Sequence, residues 1–324
     1  MRTLVQAPNS EPGDQRSDGR AAALATSPGA WLLGAPLPVM PTHRNVCALT
    51  LFLASCIVFL KALMALWAFA LHDESFSHVV LIPAVSGYLL AINRATLLNS
   101  REWSPTIGFL LILLGLISYW FAGTSSPLQE PTIDRLAMTT ATVVLVWWGI
   151  FVLNFGVRSV RHNLFPLGLL VLMIPFPTVM LNAVVGFLQH SSAEAAARFF
   201  TMLDIPVFRQ GLVFHLSHLT IHVAEECSGI RSFLSLVIIS LLAGYWFLRL
   251  GWSKASLVAF VVPLAIIKNA CRIVGLALLG NYVDQTYITN SVLHRAGGIP
   301  LFALSLVVLA GLVWMLRRFE QRIG

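Results

Sequence analysis

Charge is what this chain of 324 residues has least of. Asp, Glu, Lys and Arg make up 11% of it, against about 25% in soluble domains. With 57% hydrophobic residues and a mean hydropathy of +0.80, the chain cannot clothe itself in a solvated surface. An ordinary cytosolic enzyme, a disordered protein and a disulfide-stapled secreted module are therefore excluded. The composition is that of an all-α polytopic membrane protein. Cysteine is scarce too: Cys47, Cys56, Cys227 and Cys271 form no CxxC pair, which disfavours a thiol–disulfide exchanger. Also missing are a P-loop, a dinucleotide fingerprint, a nucleophile-elbow serine and an H-E-x-x-H helix, and with them the chemistries those motifs serve. A net charge of +7 would elsewhere point to nucleic acid. Basic and aromatic residues are not interleaved here, so no nucleic-acid partner is expected. The basic residues read as topology signals in a lipid bilayer.

Residues 1–44 form a polar tail of Pro, Gly, Ser and mixed charge without helical period, which predicts disorder. Its apolar stretch at 21–40 is interrupted by Pro28, Pro36 and Pro38 and does not read as a signal peptide. Met40 stands as an alternative start just before the first span. Residues 45–324 read as one transmembrane domain. A spanning helix needs about 20 apolar residues, and eight segments answer to that: 46–71, 78–93, 105–122, 136–155, 164–181, 231–248, 255–280 and 298–316. The second is short and contains Pro83. The tail, the C-terminus and alternate loops hold 13 of the 21 basic residues, the opposite loops five. The positive-inside rule then places both termini in the cytoplasm of a cell with an inner membrane. The longest loop, 182–230, falls on the outer side. Its first part, 182–203, reads as an amphipathic helix with a Glu194–Arg198 i,i+4 pair, and with Phe187, Leu188 and Phe199 resting on the membrane surface. From 205 to 224 the pattern alternates like short strands, with Leu219, Ile221 and Val223 on one face.

This topology brings three reactive side chains to one level. Cys227 lies at the outer entrance to the sixth span. Arg272 sits 17 residues into the seventh, roughly 26 Å along a helix rising 1.5 Å per residue, and so near the outer face. His294 precedes the eighth. An expected N-cap at Ser228 would put the Cys227 thiol at a helix N-terminus, where the dipole favours thiolate. Arg231 and Arg272 act in the same direction, while Glu225 and Glu226 oppose them unless they pair with those arginines. An intramembrane arginine costs at least about 2.5–3.5 kcal/mol on insertion scales and marks function by default. Lys268 and Asn269, one turn earlier, extend the polar face. His294 has the pKa range of a general acid–base. His215, His218 and His222 would share a face only in a helix. As strand residues His215 and His218 point opposite ways, and no metal site is expected.

The segment Val223-Ala224-Glu225-Glu226-Cys227-Ser228-Gly229-Ile230-Arg231-Ser232 resembles the signature of the exosortase/archaeosortase family. Ser77-His78 with Leu81-Ile82-Pro83 is similar to the family's early motif, with Val79 where glycine is usual. Ile174-Pro175-Phe176-Pro177, Leu188-Gln189, Asn269-Ala270-Cys271-Arg272-Ile273 and His294 with Gly297 or Gly298 follow in the family's order. The ordered matches cover residues 73–302.

That resemblance implies a membrane cysteine peptidase/transpeptidase that needs no metal or organic cofactor. It implies Cys227 as nucleophile, Arg272 as oxyanion or substrate-orienting cation and His294 as third member. Glu225, Glu226, Ser228, Arg231, Lys268, Asn269 and His78 are supporting candidates. The implied substrates are exported proteins with a C-terminal Pro-Glu-Pro-type motif, a transmembrane helix and a basic cluster. They would be cleaved at the periplasmic face, with a surface polymer as acceptor. From the residues alone, two other classes stay open: a transporter or flippase with Lys268 and Arg272 lining an anionic path, and an outer-face glycan ligase.

Overall fold

The computed structural model describes residues 43–73, 76–93, 104–124, 132–217, 219–223, 229–282 and 298–323. Within them the chain is helical, with one small sheet. The helices are α1 His43–Val58, α2 Leu60–His72, α3 His78–Ile92, α4 Pro105–Thr124, α5 Ile133–His162, α6 Leu164–Leu169, α7 Thr178–Met202, α8 Ile230–Phe247, α9 Gly251–Tyr282 and α10 Gly298–Ile323. A 3-10 turn, Leu170–Met173, follows α6. Strands β1 Phe208–Gln210, β2 Val213–His215 and β3 Thr220–His222 form an antiparallel sheet in that order.

By length and apolar composition, α5, α8, α9 and α10 can each cross a membrane. Two further crossings exist if bent helix pairs count as single spans. Helices α3 and α4 are shorter apolar helices on the expected second and third segments. Each bent pair interrupts one of the expected segments. The first segment breaks at Phe59 and turns by 71° between α1 and α2. The fifth ends early: Pro175 and Pro177 lack the N–H a helix needs, and the chain turns by 92° into α7. Helix α7 therefore absorbs the end of the fifth segment as well as the expected amphipathic helix.

Three apolar clusters organise the chain. One joins α1, α2, α3, α5, α6 and the 3-10 turn around Phe59, Leu66, Ile82, Val143 and Met173. A second packs α7, the sheet and α9 around Ala196, Phe200, Phe214, Val223 and Ala270. A third joins α8, α9 and α10 around Leu236, Leu257, Val261 and Leu309. Helix α9 is shared by the last two. Helix α4 lies along α5 with backbones in near contact. A Cβ on Gly108 would stand 2.5 Å from the Leu153 nitrogen, and one on Gly149 2.7 Å from Ile112 Cγ1. Small residues permit this approach where lipid supplies no hydrophobic drive.

Polar contacts gather at the two ends of the bundle. Inside α5, Gly156 takes φ 77° and ψ 166°, and the guanidinium of Arg44 donates through Nε (3.0 Å) and Nη2 to the Asn154 carbonyl beside this kink. Nearby, Asn93 Nδ2 donates to Asn163 Oδ1 (3.3 Å) and Tyr245 Oη (3.2 Å), joining α3, α5 and α8. Tyr245 also stacks on Phe165, centroids 4.2 Å apart. The Glu320 carboxylate accepts from the Arg249 and Leu250 amides, 2.9 Å each, just before α9 begins. At the opposite end, Asp134 accepts from the Thr178 amide at 2.6 Å, which ties the start of α7 to the start of α5.

Candidate functional site

Three of the expected site residues lie together on the C-terminal half of α9. Lys268 and Arg272 are four apart and stack one turn above the other, and Asn269 stands beside them. Lys268 and Asn269 are buried and Arg272 is half-buried. Around the same helix, Ala270, Ile273, Val274 and Ala277 form an apolar stripe against α7 and the sheet. The spacing explains the division: residues 270, 273, 274 and 277 share a face at helical period, and 268 and 272 lie on the opposite one, about 170° around the helix. Asn269 falls on the border between them.

Helix α8 meets α9 at that border. Gly229 precedes the first residue of α8 with φ 77° and ψ 13°. The left-handed region is open to glycine at no steric cost. A Cβ on Gly229 would stand 3.2 Å from both Cγ and Oδ1 of Asn269. Gly229, not the expected Ser228, therefore occupies the N-cap position. It has no side chain to cap the helix, but it lets the backbone rest on α9. One turn on, Ser232 Oγ donates to the Gly229 carbonyl at 2.9 Å and accepts from Lys268 Nζ. Arg231, in the same first turn, is turned to the outside.

The other approach to α9 comes from the sheet. Val223, one residue past β3, is 1% exposed within the cluster of Ala270, Ile273, Val274 and Ala277. Its amide donates to the Leu212 carbonyl at 3.0 Å, and its carbonyl accepts from Gln189 Nε2 of α7. Gln189 is buried. It belongs to the inward stripe of α7 with Ser192, Ala193, Ala196 and Phe200. The expected membrane-resting Leu188 is buried too, at 2% exposure, while Phe187 is exposed. The expected Glu194–Arg198 pair forms at 3.5 Å, but Arg209 from β1 is the closer partner of Glu194, at 2.6 Å.

Cys227, Glu225, Glu226, Ser228 and His294 lie outside the described residues, as does His218. His78 begins α3, its ring 6.4 Å from that of Phe76, and its neighbours Phe76 and Val79 belong to the first cluster. Among the described residues no group of three or more His, Cys, Asp or Glu side chains is placed to hold a metal ion. Sequence reading passed over Gln189 and Ser232 as site residues. For Gln189 a signal existed: an amide on the apolar stripe of an amphipathic helix must find a partner. Ser232 stands in the signature segment 223–232, but nothing local gave away its partner, which is 36 residues away.

Residues 66–311 match the family model of the transmembrane exosortases. No curated protein and no solved structure matches the chain. The chain belongs to the transmembrane exosortase family.

Proposed function

We propose that this exosortase is a cysteine peptidase/transpeptidase that removes the C-terminal anchor of exported proteins at the outer face of the inner membrane. The proposed nucleophile is Cys227, the cation at the developing oxyanion Arg272, and the proton carrier His294. One observation carries the reading. The two points that bracket the cysteine segment both rest on α9: Gly229 against Asn269, three residues before Arg272, and Val223 against the apolar stripe 270–277 on the other side of the helix. Cys227 is two residues from Gly229. At most about 3.6 Å per residue, its Cα is tethered within roughly 7 Å of that of Gly229.

The proposed chemistry runs as follows. The substrate arrives on its own membrane helix, so encounter is two-dimensional and the scissile bond is held near the interface, which favours proximity and orientation. The Cys227 thiolate attacks the scissile carbonyl carbon. Arg272 stabilises the oxyanion in a water-poor site. The C–N bond breaks, His294 delivers a proton to the departing amine, and a thioester remains while the anchor leaves. An acceptor amine or hydroxyl, or water, then attacks the thioester and gives its proton to His294, the C–S bond breaks, and the Cys227 thiolate is restored. The sorting-signal class, a short Pro-Glu-Pro-type motif with an apolar helix and a basic cluster, comes from the family likeness.

The orientation has support in the fold. Arg44 with Asn154, Asn93 with Asn163 and Tyr245, and Glu320 with Arg249 and Leu250 gather at one end. This is the end that the basic loops assign to the cytoplasm. Cys227→Ala should insert normally and leave substrates with uncleaved anchors, read by substrate mass and membrane extraction. Normal processing in that variant would falsify the nucleophile assignment.

A further inference from the structure

The small sheet ends on one side in an open hydrogen-bonding edge. Strand β2 lies between β1 and β3. In an antiparallel ladder every second residue pair exchanges backbone bonds. The Leu216 amide donates to the Leu219 carbonyl at 2.7 Å, and the Val223 amide to the Leu212 carbonyl at 3.0 Å. Counting between these two bonded pairs, Phe214 with Ile221 is the next bonded pair, and His215 with Thr220 and Val213 with His222 are not bonded. The N–H and C=O of Thr220 and His222 therefore point away from β2. Among the described residues no backbone group bonds to them from that side. The same parity turns only Arg209 outward on β1, so β3 is the longer free edge.

Nothing within β3 blunts that edge. Edge strands are usually defended by lysine, proline or a bulge. Residues 219–223 read Leu-Thr-Ile-His-Val, with no lysine or proline and three β-branched residues that favour extended backbone. The register with β2 runs without a bulge. Thr220 and His222 are exposed, while Ile221 packs inward on the second cluster. The strand is also fixed in place. Val223, which follows it, is buried in that cluster, and Gln189 of α7 donates to its carbonyl. Hydrocarbon offers backbone groups no partner, and open sheet edges are not found exposed to it. The edge therefore faces water or a wet recess, where a polypeptide outside the bilayer reaches it.

Two donors and two acceptors, repeating at every second residue over roughly 7 Å, are the complement of another extended chain. We propose that the outer edge of β3 docks the substrate as an added strand, holding by its backbone the extended stretch beside the scissile bond. This rests on the reading of Cys227 as nucleophile. His222 precedes Cys227 by five residues, at most about 18 Å of chain, a limit set by chain length alone. A flexible segment must be oriented before it is attacked, and strand pairing supplies that order. Backbone pairing accepts many side chains. Selection among them falls to the outward row of Phe208, His215 and Thr220. There the Phe208 and His215 rings stack at 6.0 Å, and His215 Nδ1 lies 3.1 Å from Thr220 Oγ1.

The experiment uses the full-length Cys227→Ala protein in liposomes, so that binding is read without cleavage. The probe is a semisynthetic reporter with a Pro-Glu-Pro motif, an apolar helix of about 20 residues and a basic cluster. Single backbone N-methyl groups are placed in turn at the non-proline positions around the motif. Methylation at two positions two residues apart should weaken binding about tenfold each, the scale of one lost hydrogen bond, and at the position between them by less than about twofold. An even profile, or no effect anywhere, would overturn the proposal. On the protein side, His222→Pro removes an outward N–H and no ladder bond. It should weaken binding about tenfold where His222→Ala stays within about threefold, and equal effects would count against backbone pairing. The methyl scan leaves the edge intact and decides the matter if His222→Pro fails to insert. A benzophenone side chain in place of Thr220 should cross-link to the reporter. Cross-linking only to a second copy of the chain would make the edge a self-association site and overturn the docking claim. Failure of the nucleophile reading looks different: wild-type protein alkylated at Cys227, as located by peptide mass spectrometry, would still cleave the reporter, and a periodic methyl scan would still establish the docking strand.

Discussion

At the scale of single residues the site depends on what α9 lets approach it. Gly229 and Gly211 both adopt positive φ, 77° and 63°, but only Gly229 has a neighbour where a Cβ would go. Alanine at either position carries the left-handed strain of roughly 1–2 kcal/mol. Alanine at Gly229 must also displace Asn269. Gly211→Ala should therefore cost a few degrees of Tm in detergent and keep its cleavage rate, whereas Gly229→Ala should lose most cleavage. Equal activity in the two would show that the close approach to Asn269 does not matter. Arg272 calls for a different substitution. Arg272→Lys keeps the charge and shortens the fork, and a point charge does not replace a planar guanidinium at an oxyanion. The expected fall in kcat is at least about a hundredfold, of the order seen when one oxyanion donor is removed. Near-normal turnover in a single-turnover cleavage assay would mean that charge alone is used.

At the scale of elements the helices are stabilised by small residues and by polar caps at breaks. Gly156 sits at φ 77°, ψ 166° inside α5, a region that is essentially glycine's alone. Gly156→Ala should destabilise by about 1–3 kcal/mol, read as a lower Tm in detergent, and Arg44→Ala should lower it further by exposing the Asn154 carbonyl. A Gly156→Ala protein as stable as wild type would show that the kink is not required. Gly149→Val should be comparably harmful through overpacking, about 1–3 kcal/mol, because Ile112 leaves no room. These features mark the limit of what composition conveys. Hydropathy windows locate apolar helices: each of the eight expected segments overlaps helix, although residues 174–177 of the fifth are not helical and four to six crossings qualify by length and composition. Windows do not see a break of one residue such as Phe59, nor where Pro175 and Pro177 turn the chain. They also do not see that an amphipathic helix, α7, continues from the end of an apolar segment. The strands were legible because period-2 alternation survives at Phe214 and Ile221, the inward residues of β2 and β3.

At the scale of the whole molecule, the site was legible as a list of residue types and not as an arrangement. Arg272, Lys268 and Asn269 announce themselves as polar residues in an apolar helix. Their i+3 and i+4 spacing alone puts them on neighbouring faces. Gln189 and Ser232 act through partners 34 and 36 residues away, and no local pattern encodes such a distance. What the long-range contacts add is a consistent pair of ends. Gly229, just before α8, and residues 249–250, just after it, belong to opposite ends, because α8 separates them by 18 residues, roughly 27 Å of helix. Basic residues crowd the end near Arg249 and Glu320, and the positive-inside rule is the ground for proposing that end as the cytoplasmic one. The orientation is testable with two exposed positions, Ser217 in the turn between β2 and β3 and Gly251 at the start of α9. Gly251 has open space where a side chain would go. In a protein whose native cysteines are alanine, a membrane-impermeant maleimide applied to the periplasmic side should label Ser217→Cys. It should reach Gly251→Cys only after the membrane is opened. The reverse pattern would turn the bundle over and put the α8–α9 border, with Arg272, on the cytoplasmic side. No exported substrate could meet it there. The family's chemistry would then have to be assigned to some other face of this chain.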